Sequence, residues 1–327
     1  MLALIHLASS VVSGISAWIS ASRLFPALRV RFRQPLLPHI RTILSFSLFL
    51  SAIHVLSAVI YYNDSLVIAI FLPVSSVAYF AIAGNLCDYA RQMASTLSMV
   101  MTPRVSALVS CESTKVAKEI LGAARIGTLI TAPIATTFFF RGESFINLWM
   151  GNEYGEISGE ILKILAFVVL LVGARNVSIA SIIGMNKHVT LVPILAFEAA
   201  CNVVLSVTFV QALGLTGVAW GTLIPSLIVG IGLLPRCLNH ATGIPIKLYF
   251  LKAWLLPIAA CVPFGIASVL TNHFFPARNL VVFFTQVGLT VPLVVICAMF
   301  LCMNRFERRR VLAVFREFFT AAPSGRL

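Results

Sequence analysis

Apolar residues in this chain neither alternate with polar ones nor recur at helical spacing. They run in long blocks broken by short polar gaps. Nine blocks lie near residues 1–22, 42–72, 76–103, 119–140, 160–184, 189–212, 217–236, 253–272 and 279–302. About twenty such residues wound as an α-helix cross the roughly 30 Å hydrocarbon core of a bilayer. In lipid a helix satisfies its own backbone hydrogen bonds, which an open strand cannot do. The pattern therefore predicts an all-α fold, a polytopic transmembrane helical bundle of about nine spans. Block 42–72 as one helix measures about 46 Å and has to tilt, bend or project. Pro133, Pro193, Pro225, Pro257, Pro263 and Pro292 inside later blocks predict locally broken helices.

The basic residues sit in alternate gaps. Of the 24 lysines and arginines, 18 lie in 23–41, 104–118, at Lys187, in 236–252 and beyond residue 304, against Arg141 and Arg278 in the other gaps. Basic loops stay on the cytoplasmic side, so this asymmetry predicts an N-terminus outside and a C-terminus in the cytoplasm. The expected location is a cell membrane, crossed many times. Mean hydropathy of +0.98 and 11% charged residues, against roughly 25% in soluble domains, agree with that class. The formal charge of +13 is then topology signal, with membrane lipids as partners for its basic face and no nucleic acid implied. The basic stretch Arg305–Phe319 is expected to lie along the surface.

Site chemistry of the soluble kind is missing from the sequence. The seven cysteines form no C-x-x-C pair, no His/Asp cluster has metal-ligand spacing, and no glycine-rich phosphate loop precedes a helix. No metal, no cofactor and no ATPase or other enzyme activity is expected. What stands out is polarity inside the spans, where an ionisable residue is costly and marks a functional candidate. Asn85, Asp88, Gln92 and Thr96 fall within about 80° of a helical wheel, beside Arg91. They form either a cavity wall or an interhelical contact with Asp88 and Arg91 paired. Arg175 and Glu198 lie twelve and eleven residues either side of Lys187, hence at equal depth, with Asn202 and Ser206 extending the Glu198 face. They form either a switch that opens to an anion or a static pair. Asp64 is an ion-coupling candidate, or a carboxylate satisfied by Tyr61 and Asn63. Arg125 is a candidate for meeting a phosphate, or a snorkelling residue.

Several weak motifs occur in a telling order. They are Asn63-Asp64-Ser-Leu-Val-Ile, Tyr79-Phe-Ala81-Ile-Ala-Gly-Asn-Leu and Met101-Thr-Pro103-Arg104-Val-Ser106. Trp149-Met-Gly151-Asn-Glu-Tyr154, Gly184-Met-Asn-Lys187 and the hairpin Leu213–Thr222 follow. In this order, over roughly residues 1–304, the chain resembles the C-terminal part of O-antigen-type polysaccharide flippases. These belong to the multidrug/oligosaccharidyl-lipid/polysaccharide exporter superfamily. The resemblance implies two six-helix lobes around a central cavity, often with two appended spans. On that template residues 1–22 are the last helix of a truncated first lobe and 23–41 a basic cytoplasmic linker. Residues 42–236 are then the second lobe, 253–302 the added pair and 303–327 a basic tail.

The implied function is flipping of an isoprenoid-pyrophosphate-linked oligosaccharide to the outer leaflet by alternating access. It would serve surface polysaccharide such as lipopolysaccharide, in a bacterial inner membrane. The partners would be that lipid-linked oligosaccharide and a first-lobe polypeptide or polysaccharide assembly proteins. The alternatives are a cation-coupled multidrug exporter of the same superfamily and a non-transporting remnant or assembly component. In place of the glycine-rich turn usual before the tyrosine stands Phe71-Leu-Pro73-Val-Ser-Ser-Val-Ala78. About five first-lobe spans are not in the sequence.

Overall fold

The computed structural model describes residues 2–24, 37–109, 113–302 and 308. Among them every regular element is helical: α1 Leu2–Leu24, α2 Leu37–Phe71, α3 Ser75–Val109, α4 Ser113–Met150 and α5 Asn152–Gly184. A short 3₁₀ turn, His188–Thr190, leads into α6 Leu191–Leu213. Then come α7 Leu215–Thr242, α8 Ile246–Phe274 and α9 Leu280–Leu301. Seven of these helices are long and apolar enough to cross a membrane. The protein is thus a polytopic helical membrane protein. α1 and α3 are not among the seven; in α3, Asn85, Asp88, Arg91 and Gln92 interrupt the apolar run.

The helices are longer than the apolar blocks. α2 starts at Leu37, inside the stretch expected to be linker. Arg104, Lys115, Lys118 and Arg141 lie within α3 and α4 rather than in gaps. Arg141, expected in a loop, is 1% exposed. Residues 25–36, Cys111 and the basic tail lie outside the described residues, apart from Arg308.

The chain divides into two compact units, Met1–Ser47 and Leu48–Leu327. The second carries the polar residues of interest. Its helices alternate in direction, so the α3–α4, α5–α6 and α7–α8 connections share one end, called the basic end here. Lys187 there donates to the carbonyl of Ala241 at 2.9 Å.

Small residues set the closest approaches. A Cβ on Gly173 of α5 would stand 2.2 Å from the carbonyl oxygen of Gly127 on α4. On α7, a Cβ at Gly217 would meet the Phe209 carbonyl at 2.2 Å, and one at Gly221 the Ser206 nitrogen at 2.6 Å. Lipid is as apolar as a leucine side chain, so close backbone packing replaces hydrophobic drive in holding such helices together. Gly214, at φ 63°, makes the α6–α7 turn that the sequence leads one to expect.

None of the prolines expected to break a helix ends one, and the winding changes beside two prolines, Pro235 and Pro257. α7 and α8 each contain one π-helical turn, Ile228–Leu233 and Phe250–Leu255. Each turn holds the residue four before a proline, Ile231 before Pro235 and Ala253 before Pro257. A proline ring crowds that carbonyl, and widening the turn makes room for it.

The two largest hydrophobic clusters of the second unit stack along the helices. Towards the basic end, Ile60, Met101, Val105, Ile120, Val177 and Leu195 pack together. Towards the other end, Ile68, Phe80, Ile146, Leu162, Val169 and Val218 do so. Between them, at mid-height, lies a layer of buried polar side chains: Asp64, Arg175, Glu198, Asn202, Thr222 and Ser226.

Candidate functional site

The polar layer is built from two rungs across α6 and α7. Glu198 and Asn202 are four apart on α6, and Thr222 and Ser226 are four apart on α7, so each pair lies on one helix face. In the first rung, Asn202 Nδ2 donates to Thr222 Oγ1 at 3.1 Å, and Thr222 Oγ1 donates to Asp64 Oδ2 of α2 at 2.7 Å. In the second, Ser226 Oγ donates to Glu198 Oε1 at 3.3 Å. Arg175 of α5 closes that rung with a fork, Nη1 to Oε1 at 2.5 Å and Nη2 to Oε2 at 2.7 Å. Arg175 and Glu198 are 4% and 0% exposed. A two-toothed guanidinium–carboxylate contact is the geometry that best repays desolvating both charges.

Beside the first rung lies a cavity of about 160 Å³ bounded by α2, α3, α5 and α7. Its polar lining includes Tyr61, Asp64, Asn85, Asp88, Arg91 and Thr222. Arg91 pairs with Asp88 and stacks 3.9 Å over the Tyr61 ring, an arrangement that holds the cation against the aromatic face. The two charged side chains are 18% and 28% exposed. Asn85, Tyr89, Gln92 and Thr96 continue the polar stripe along α3 and are exposed. A second, larger cavity of about 550 Å³ lies between α4, α5 and α8. Apolar groups line it, and Thr136 and Cys261 are its nearest approach to chemistry.

The residues singled out by sequence are therefore partly gathered. Asp64, Asn85, Asp88 and Arg91 line one cavity, with Gln92 further along the exposed stripe. Arg175 and Glu198 meet as a pair, and Asn202 lies one helical turn from Glu198, in the rung that reaches Asp64. Asp64 Oδ2 accepts from Thr222, and neither Tyr61 nor Asn63 is its donor. Arg125 is elsewhere: its Nη1 donates to the carbonyl of Cys302 at the end of α9. Thr222, Ser226 and the stacking role of Tyr61 were not anticipated. A signal existed for the first two, since both lie four-spaced on the helix that carries Gly217 and Gly221, where α6 approaches most closely.

Among the described residues no group of three or more His, Cys, Asp or Glu side chains is placed to hold a metal ion. The geometry thus defines a polytopic membrane bundle with a polar layer and a cavity half open to its surroundings. In sequence, residues 1–159 match the family model of polysaccharide biosynthesis proteins. That stretch is similar to the family over α1–α4 and the first turns of α5, and so includes Asp64 and the α3 stripe. No curated protein and no solved structure matches the chain.

Proposed function

We propose that this protein is a membrane transporter in polysaccharide biosynthesis that moves an anionic, isoprenoid-pyrophosphate-linked oligosaccharide between leaflets. The observation that carries the reading is the α3 stripe. Asn85, Tyr89, Gln92 and Thr96 are exposed on a helix packed among membrane-length neighbours, and the stripe runs into a cavity holding Arg91. Polar side chains at that depth require water or protein opposite them. A second helical body facing α3, contributed by another polypeptide or another copy, would close a hydrated passage. Sugar hydroxyls would then meet Asn85 and Gln92, and the pyrophosphate would compete with Asp88 for Arg91. The match of residues 1–159 to polysaccharide biosynthesis proteins supports the substrate class.

Asp64 is the group we assign to ion coupling. One oxygen accepts from Thr222, while Oδ1 has no hydrogen-bond partner and the residue lines the cavity. A proton or monovalent cation arriving from the cavity would neutralise it. No step in this mechanism makes or breaks a bond within the substrate, so the chain acts as a carrier and not as an enzyme. The test is complementation of a strain lacking its polysaccharide flippase, with the chain alone and beside a first-lobe fragment, scoring surface glycan. Restoration in either arm, lost again in Arg91→Ala at equal membrane level, is the expected result. No restoration in either arm, with the protein present in the membrane, overturns the reading.

A further inference from the structure

Two arginines outside the polar layer are used in a way the transport reading does not need. Arg141 of α4 is 1% exposed, donates to Gln286 Oε1 of α9 and stacks 4.6 Å from the Phe283 ring. Gln286 in turn donates through Nε2 to the Phe275 carbonyl at 2.8 Å, in the α8–α9 turn. Close by, Ser144 Oγ of α4 donates to Asn272 Oδ1 of α8 at 3.1 Å. At the basic end, Arg125 of α4 donates to the Cys302 carbonyl, one of the carbonyls that a helix end leaves without an intrahelical partner. A cation there also complements the negative end of the helix dipole.

The spacings agree. Arg125 and Arg141 are 16 positions apart on α4, and Gln286 and Cys302 are 16 positions apart at the antiparallel α9. Each interval is about 24 Å, close to the roughly 30 Å hydrocarbon thickness. The contact between the two latches is apolar, with Leu129, Ala132, Cys261, Phe264, Val294 and Ala298 meeting there. An apolar seam inside a membrane slides easily, because lipid competes equally for the same surfaces. Two matched polar contacts make one register better than all others.

We propose that Arg125 and Arg141 lock the α8–α9 hairpin onto α4 in a single register, so that the hairpin travels with the bundle as one rigid part. Arg125 is then a positioning residue for the hairpin and not a ligand for substrate phosphate. The lock stands independently of transport; only its consequence for the transport cycle rests on that reading.

The experiment uses the full-length chain in membranes with its native cysteines replaced and one pair introduced, Ser144→Cys with Asn272→Cys. Oxidation is expected to join α4 to α8 nearly completely within minutes. Replacing Arg125 and Arg141 together by Met is expected to slow that joining at least tenfold. Each is also replaced singly, so that loss at one end is read with the other latch intact. A pair that joins slowly or partially with both arginines present, or at an unchanged rate without them, overturns the lock. Surface glycan is then scored before and after oxidation. Equal scores support a hairpin that never leaves α4; a loss reversed by reductant overturns the rigid-body claim. Should no form of the chain restore glycan, the transport reading fails, and the joining rates still decide the lock.

Discussion

Arg175 and Glu198 show how far a single pair can be reasoned. Their equal distance from the α5–α6 turn was enough to place them at one depth, and the structure joins them by two hydrogen bonds of 2.5 and 2.7 Å. Removing one member strands the other charge in the core, which costs roughly 3–5 kcal/mol. Arg175→Ala and Glu198→Ala should therefore lower thermal stability of the detergent-solubilised chain sharply. The double change to Met and Leu should leave stability near the parent value or above it, as buried pairs exchanged for apolar groups often do. If that double variant is stable yet loses transport, the pair is a switch; if it keeps both, it is a static fixture. Asp64 is the contrasting case. Its partner Thr222 is 158 positions away, and no local spacing pointed to it. Thr222→Val, which keeps the shape and removes the donor, should cost about 1–3 kcal/mol. Thr222→Ser should recover most of it. A valine variant as stable as the parent would mean that Asp64 does not depend on this hydrogen bond.

Among elements, the positions of the helices were readable from apolar blocks, but their ends were not. Bilayer length sets how many apolar residues a span needs; it says nothing about how far the helix continues into the polar region. That is why α4 runs to 38 residues and takes in Arg141, which alternation of charge had put in a loop. The contact of Arg125 was hidden for a different reason. Its partner is a backbone carbonyl, and a carbonyl leaves no trace in residue type. The α6–α7 hairpin was legible because Gly214, Gly217 and Gly221 cluster within eight positions. The α4–α5 crossing was not, since Gly127 and Gly173 lie in separate blocks 46 positions apart and no local pattern links them. Two substitutions separate packing from propensity. Gly173→Ala would set a methyl 2.2 Å from the Gly127 carbonyl oxygen, whereas Gly122 has nothing within 4 Å of its Cβ position. The first should lower the melting temperature by several degrees. Gly122→Ala should leave it unchanged or raise it, since alanine is favoured over glycine in a helix by roughly 1 kcal/mol. Equal effects at the two sites would remove the case for a backbone-to-backbone α4–α5 contact.

For the whole molecule, the informative feature is where polarity remains uncovered. The buried layer of Asp64, Asn202, Thr222, Glu198 and Arg175 is linked by side-chain hydrogen bonds across α2, α5, α6 and α7, with Asp64 Oδ1 left open to the cavity. The α3 stripe has no such internal account, because Asn85 and Gln92 are exposed on a helix whose other face fills the core. A stripe that merely tolerated lipid would grow more stable when made apolar, since uncovered polar groups are costly in hydrocarbon. A stripe that lines a water-filled passage gains nothing from that change and loses its contacts to sugar. The double variant Asn85→Leu with Gln92→Leu distinguishes these cases when membrane level, melting temperature and surface glycan are measured together. Unchanged level and melting temperature with glycan reduced at least tenfold is the outcome expected of a passage wall. A higher melting temperature with undiminished glycan would assign the stripe to the lipid or to an idle contact. The substrate path would then have to be sought on a face of the bundle other than that of α3.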